Sequence, residues 1–150
     1  MTTLIIHGPL RGKGRPRFSR EGHAYTPEAT RDYEREIQLT WGNKPCLTGP
    51  VEVRIDAYQA LPKRATKAQR QAAERGEIWP IRKPDLDNIV KIAMDALNGY
   101  AYRDDTQVVR LDAQKLYATG AESRLEITVD TITHDQQGEV QNDGNRNGTV

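Results

Sequence analysis

The chain has 150 residues but only one cysteine (Cys46), one phenylalanine and two tryptophans. A lone cysteine excludes an internal disulfide, so the fold must be held by its core, and a reducing cytoplasm is the default compartment. The three histidines, His7, His23 and His134, are too scattered for a zinc site. No leader-like segment and no apolar run long enough to span a bilayer is present, which predicts no membrane association. Self-similarity at a period of 20 to 50 residues is absent, which excludes a repeat array. Gly12-Lys13-Gly14 lacks the Gly-x-x-x-x-Gly-Lys-Ser/Thr spacing of a nucleotide-binding loop.

What is present suits one modest core under a large polar surface, with 36% hydrophobic residues and a mean hydropathy of -0.78. The formal net charge of +1 hides segregation. Arg11, Lys13, Arg15, Arg17 and Arg20 stand without an acid between Pro9 and Arg20. Lys63, Arg64, Lys67, Arg70, Arg75, Arg82 and Lys83 meet only Glu74 and Glu77. Two basic segments thus flank an acidic centre, a pattern that tracks nucleic-acid phosphates without reading sequence.

Leu4-Ile5-Ile6 predicts a first strand, and Phe18 to Tyr25 a small hairpin around Glu21-Gly22. Thr26-Pro27-Glu28 reads as cap, first-turn proline and acidic first turn of a helix running to about Trp41, with Ala29, Tyr33, Ile37 and Trp41 on one face. Val51, Val53, Ile55 and Ala57 alternate with polar residues as a half-buried strand. Thr66 to Arg75 predicts an exposed basic helix. In the connection that follows, Trp79 reads as a hinge packer ahead of a wedge at a DNA branch. Val109, Leu111 and Ala113 predict one face of another strand and Leu125, Ile127 and Val129 that of a last one, with a hairpin at Thr119-Gly120 between them. The expected fold is α+β: a small mixed or antiparallel sheet of about four strands carrying two main helices, over residues 1–133. Residues 134–150, rich in Asn, Gln, Gly and Asp, predict a disordered tail.

The organising stretch is Lys83-Pro84-Asp85-Leu86-Asp87-Asn88, followed by Ile89, Ile92, Ala93, Ala96 and Leu97 at helical spacing and by the stop Asn98-Gly99. Pro84 bars an earlier start, so Asp87 reads as the N-cap, with Lys91 leaning back over Asp85 and Asp87. Asp95 falls four residues after Lys91, the spacing of an ordinary surface bridge. Arg103-Asp104-Asp105-Thr106-Gln107 follows, and a strand returning beside the helix would bring these acids alongside the first pair. Such a cluster repels itself, by about 4 kcal/mol for two charges ~4 Å apart at an effective dielectric near 20. A hard divalent cation relieves it. Oxygen donors without His or Cys select Mg²⁺ or Mn²⁺, which keep water and substrate phosphate in their shell. Against this stands the plain reading, in which Asp87 only caps a helix and Asp104-Asp105 only turns the chain.

Taken together, Pro-Asp-Leu-Asp-Asn, the lysine four residues on, Asp95-Ala-Leu-Asn-Gly and Asp-Asp-x-Gln-Val resemble the signature of the RusA family of Holliday junction resolvases, small nucleases of bacteria, prophages and phages. Gly12-Lys13-Gly14-Arg15-Pro16-Arg17-Phe18 and Ala24-Tyr25-Thr26-Pro27 extend the resemblance over roughly residues 9–132. It implies a RusA-like fold and a crossover junction endodeoxyribonuclease, a phosphodiester hydrolase of DNA recombination and repair in the cytoplasm of a bacterial host. It further implies metal ligands Asp85, Asp87 and Asp105, a catalytic Lys91, Asp104 as a supporting group, Mg²⁺ with Mn²⁺ as a substitute, four-way DNA as partner, and a homodimer making paired symmetric nicks. Lys13, Arg15, Arg17, Arg82 and Lys83 are the candidate DNA contacts. The chain departs from members with an arginine run before the first aspartate, having only Arg82-Lys83 and Pro84 there.

Two rivals follow from the same residues. A restriction-type nuclease needs a carboxylate two residues before a lysine, but Thr106-Gln107 follows Asp105, and Asp112 lies three residues before Lys115. A basic, non-catalytic DNA-binding or recombination accessory protein would use its aspartates as caps and turns.

Overall fold

Alternation decides the centre of the sheet. The computed structural model describes residues 1–120 and 122–133. The strands among them are β1 (Thr2–His7), β2 (Arg17–Phe18), β3 (Ala24–Tyr25), β4 (Val51–Ala60), β5 (Val108–Ala118) and β6 (Arg124–Thr131). The helices are α1 (Glu28–Trp41), α2 (Lys67–Glu74) and α3 (Leu86–Leu97). In β4, Val51, Val53, Ile55 and Ala57 are all buried, the core face of a strand that is paired on both edges. It pairs antiparallel with β6, Ile55 opposite Ile127, and parallel with β5, Ile55 opposite Ala113. β1 pairs antiparallel with β6, giving a mixed sheet in the order β1-β6-β4-β5. β2 and β3 form the separate small ribbon that the Glu21-Gly22 turn predicts.

The architecture is the expected α+β one, but the hairpin expected at Thr119-Gly120 is not made. β5 and β6 flank β4 instead of pairing with each other. The connection bridges one intervening strand, a span of about 10 Å at the usual strand spacing. β5 and β4 run parallel, so a long crossover must join them, and α2 and α3 supply it.

Helix α1 buries Thr30, Tyr33, Ile37 and Trp41, and α3 buries Ile89, Ile92, Ala93, Ala96 and Leu97. α1 packs on both α3 and β1, and α3 also meets β5. Gly42, at a φ of 63°, ends α1 where a side chain would strain the backbone. α2 is capped by a reciprocal Thr66–Gln69 box and buries only Ala73. It is the exposed basic excursion the sequence predicts.

Four local expectations change. Ala29, expected on the buried face of α1, is exposed, and Thr30 is buried in its place. The N-cap of α1 is Pro27, one residue later than expected. The N-cap of α3 is Asp85, so Asp87 lies inside the first turn and is not the cap. Pro84 restricts the residue before it, Lys83, and leaves Asp85 free to open the helix. On β5, Val109 is 64% and Leu111 45% exposed. A register shift beside Val51 leaves Val109 unpaired, and β5 is an edge strand with nothing beyond it among the described residues. No helix among the described residues is long and apolar enough to cross a membrane. The tail expected at 134–150 lies outside the described residues.

Candidate active site

The N-terminal end of α3 is a pair of exposed carboxylates against a basic wall. Asp85 takes the cap position in extended conformation (φ -67°, ψ 142°), yet its side chain accepts no capping hydrogen bond, and Asp87 follows in the first turn. Unpaired helix amides there favour negative charge. The loop after β1 lies across this turn: the Lys13 amide donates to the Asn88 carbonyl at 2.8 Å. A Cβ on Gly12 would stand 2.8 Å from the Asn88 Cβ and 3.3 Å from the Pro84 Cβ, so only glycine allows so close an approach. Between loop and helix opens a cleft of about 400 Å³ lined by Arg11, Lys13, Thr30, Lys83, Asp85 and Asn88. Gln59 Nε2 donates to the Lys83 carbonyl at 2.9 Å, and the Lys115 ammonium donates to that of Arg82. These bonds tie the segment entering α3 to β4 and β5.

Lys91 is exposed one turn into the helix. Contrary to expectation, no ion pair joins it to Asp85, Asp87 or Asp95 among the described residues. Asp95 pairs instead with Lys13 at 3.3 Å, and Glu34 of α1 takes the same ammonium. Burial works against the Lys13 charge, but the two carboxylates more than offset it and raise the lysine above its ordinary value. Lys13 therefore clamps α1 to α3, and its charge is already spent inside the chain. It is not the free phosphate contact the sequence suggests.

At the C-terminal end of α3 a 3₁₀ turn, Asp105–Gln107, is bolted down. Gln107 Oε1 accepts from the amides of Arg103 (2.8 Å) and Asp104 (3.1 Å), while its Nε2 donates to the carbonyls of Leu47 (3.0 Å) and Gly49 (3.1 Å). Asp104 Oδ1 accepts from the Thr106 amide at 3.4 Å as the cap. The Asp105 amide donates to Asn98 Oδ1 at 3.0 Å. Asp104 is thus occupied by the turn, whereas Asp105 is held by its backbone and its carboxylate lies exposed beside that of Asp104. The adjoining Asp104 carboxyl, then partial desolvation and the charge of Asp95, raise the Asp105 carboxyl above its ordinary value. The Asp105 carboxyl beside it and the turn amides lower Asp104.

These two ends lie far apart. α3 has 12 residues, about 18 Å at 1.5 Å per residue. As the crossover between parallel strands it runs back against them, so the loop leaving it starts at the end opposite Asp85. Among the described residues no three carboxylates form a group that could hold a metal ion. The expected convergence of Asp85, Asp87 and Asp105 is not made within one chain.

Sequence reasoning did not single out Asn98, Gln107, Glu34 or Gly12 for these roles. Asp104-x-x-Gln107 does carry the capping-box spacing that could have revealed the bolted turn. The packing role expected of Trp79 is overturned, since its side chain is 58% exposed. Arg15, Arg17, Arg82 and Lys83 are less than fully enclosed, each exposed on the ribbon side or the α3 approach.

The family model for endodeoxyribonuclease RusA matches residues 7–130. The chain belongs to the RusA family. It is 34% identical over 138 residues to the uncharacterized protein YqaN of Bacillus subtilis, covering 87% of this chain and 96% of that one. To the crossover junction endodeoxyribonuclease RusA of Shigella sonnei it is 33% identical over 118 residues, 78% of each chain. To the crossover junction endodeoxyribonuclease of Lactococcus phage r1t it is 27% identical over 136 residues, covering 87% of this chain and 90% of the relative. The RusA match spans both ends of α3 and the cleft beside Asp85.

Proposed function

We propose that this RusA-family chain is a Mg²⁺-dependent endonuclease that resolves four-way DNA junctions by paired, symmetric nicks, working as a homodimer in the bacterial cytoplasm. The observation that carries the reading is the N-terminal end of α3, where Asp85, making no cap bond, lines a cleft together with Arg11 and Lys83, and Asp87 follows in the first turn with Lys91 four residues on. If Asp85 were there for helix stability alone, its side chain would be expected to accept a cap bond, and it accepts none.

The donors are carboxylate oxygens, which suits Mg²⁺ or Mn²⁺, but one chain supplies them in two separated halves. A second copy reconciles this. β5 is an 11-residue edge strand, and an exposed edge carrying Val109 and Leu111 invites pairing. A two-fold axis perpendicular to the sheet would pair the two β5 edges antiparallel and lay the α3 helices antiparallel on the same face. Asp105 of the partner subunit would then approach Asp85 and Asp87, giving two equal sites for the two strands of a symmetric junction.

Held by these carboxylates, the cation would supply Lewis-acid polarisation of the phosphodiester and a hydroxide-like nucleophile from water. The chain's own residues do the rest. Lys91, without a carboxylate partner among the described residues, neutralises charge growing on the phosphate, and Asn98 and Gln107 fix where Asp105 stands. Arg15, Arg17, Arg82 and Lys83 hold DNA phosphates, and Asp104 supports Asp105 through the turn.

The test is cleavage of a synthetic four-way junction and of linear duplex of the same sequence, with and without Mg²⁺. Junction nicking that needs the cation and spares duplex is expected. Equal cutting of both would leave a nuclease without junction preference, and binding without cutting would leave an accessory protein.

A further inference from the structure

Between α2 and α3 the chain pushes two large apolar side chains into water. Trp79 is 58% and Ile81 94% exposed, while Pro80 between them is buried. One anchored residue with exposed neighbours on either side makes a prong. Its stem is tied down by Gln59 to the Lys83 carbonyl, by Lys115 to the Arg82 carbonyl, and by the Arg82 guanidinium to the Ala60 carbonyl at 3.4 Å. Burial of side chains this size is among the larger favourable steps open to a chain, so their exposure here requires an explanation.

Two neighbours identify what the prong meets. Arg75 is paired with Glu77 at 2.9 Å, but Arg82 and Lys83 follow the prong directly and carry no ion pair among the described residues, which complements phosphate. Asp85 follows Ile81 by four residues, which limits their separation to about 14 Å. The apolar strip suited to self-association lies on a different element, at Val109 and Leu111 of β5.

We propose that Trp79 and Ile81 enter the stack at the centre of branched DNA, while Arg82 and Lys83 grip the adjoining phosphates. This rests on the nuclease reading above. Base pairs at a branch have already given up part of their stacking, so an apolar wedge that pushes them apart costs less there than in continuous duplex. The cations provide attraction without preference for structure, and the prong adds preference for the branch.

The experiment uses a four-way junction carrying 2-aminopurine at the branch point, with the full-length protein in EDTA, and compares the parent, Trp79→Phe, and Trp79→Ala with Ile81→Ala. The parent and Trp79→Phe should raise the base fluorescence several-fold on binding. The double variant should bind without that rise and, once Mg²⁺ is added, cut about tenfold or more slowly, a loss on the scale of 1.4 kcal/mol or greater. A junction with mismatched central pairs, already unstacked, should restore its cutting. An unchanged fluorescence rise in the double variant overturns the prong, as does a change in its oligomeric state, which would assign these residues to a protein interface. A parent that produces the rise but cuts nothing overturns the nuclease reading and leaves the prong standing.

Discussion

Helix α3 carries aspartates at both ends, and the fold treats the two ends in opposite ways. At the N-terminus, Asp85 takes the cap position without making the cap bond, and Asp87 follows with no ion pair to Lys91. At the C-terminus, Asp95 is clamped by Lys13, Asp104 closes a turn, and Asn98 and Gln107 secure the backbone around Asp105. One end keeps its charge available and the other spends most of its charge on cohesion, with the Asp105 carboxylate the exception. Local charge counting cannot separate these cases, because the two ends have the same residue types. What separates them is whether a neighbouring cation arrives to take the charge: the Lys13 ammonium reaches Asp95, and no ion pair among the described residues reaches Asp85.

The strongest way to break this comparison is to disable each end in a different chain. Asp87→Asn and Asp105→Asn should each lower junction cleavage by about 10²–10³-fold. Loss of Asp87 should cost stability only the helix-dipole contribution, about 0.3–1 kcal/mol. If the ends meet across a two-fold axis, co-refolding the two variants should restore nicking of one strand, since each mixed dimer holds one intact site. No recovery in a mixture shown to contain mixed dimers would place the working site within one chain. Next in size, Lys13→Met removes a partly buried clamp and leaves Glu34 and Asp95 facing each other. A loss of about 1–3 kcal/mol is expected in denaturant unfolding, with cleavage per folded molecule and the salt dependence of DNA binding little changed. A steep fall in that salt dependence would return Lys13 to the DNA surface.

Asn98→Ala leaves the Asp105 amide without its acceptor. The expected result is a stability loss of about 0.5–1.5 kcal/mol with a lower kcat and an unchanged junction Kd. Loss of stability with full kcat would show that the bolted turn serves only the fold. The smallest effect is expected from Arg15→Ala with Arg17→Ala. These should flatten the log–log salt dependence of junction binding by about 0.9 for each duplex phosphate no longer neutralised, without moving the melting temperature. An unchanged slope would remove the β2–β3 ribbon from the DNA interface.

Elements with a strong apolar period were legible. Ile89, Ile92, Ala93, Ala96 and Leu97 defined α3 and its buried face, Val51 to Ala57 defined β4, and Leu125, Ile127 and Val129 defined β6. Pairing was less legible. The Thr119-Gly120 turn looks like a hairpin because local turn chemistry is the same whether strands are adjacent or one apart, and only competition for the edges of β4 decides between them. Val109 and Leu111 have the residue types of a buried face and are exposed because no described element covers them, whereas the other edge strand, β1, buries Leu4 and Ile6. Trp79 misled for a related reason, since a large aromatic in a basic connection is buried only if some element covers it.

By itself the sequence determined the residue chemistry and the family: oxygen-only donors, a lysine one turn away, two basic segments and the order of motifs along the chain. Those depend on residue identity and short-range spacing, which survive any arrangement of the elements. Tertiary structure alone decided which charges are available. Spacing suggested that Asp85, Asp87 and Asp105 converge, yet a crossover helix about 18 Å long holds them apart, because parallel pairing of β4 with β5 forces α3 to run its full length between the first acids and the last.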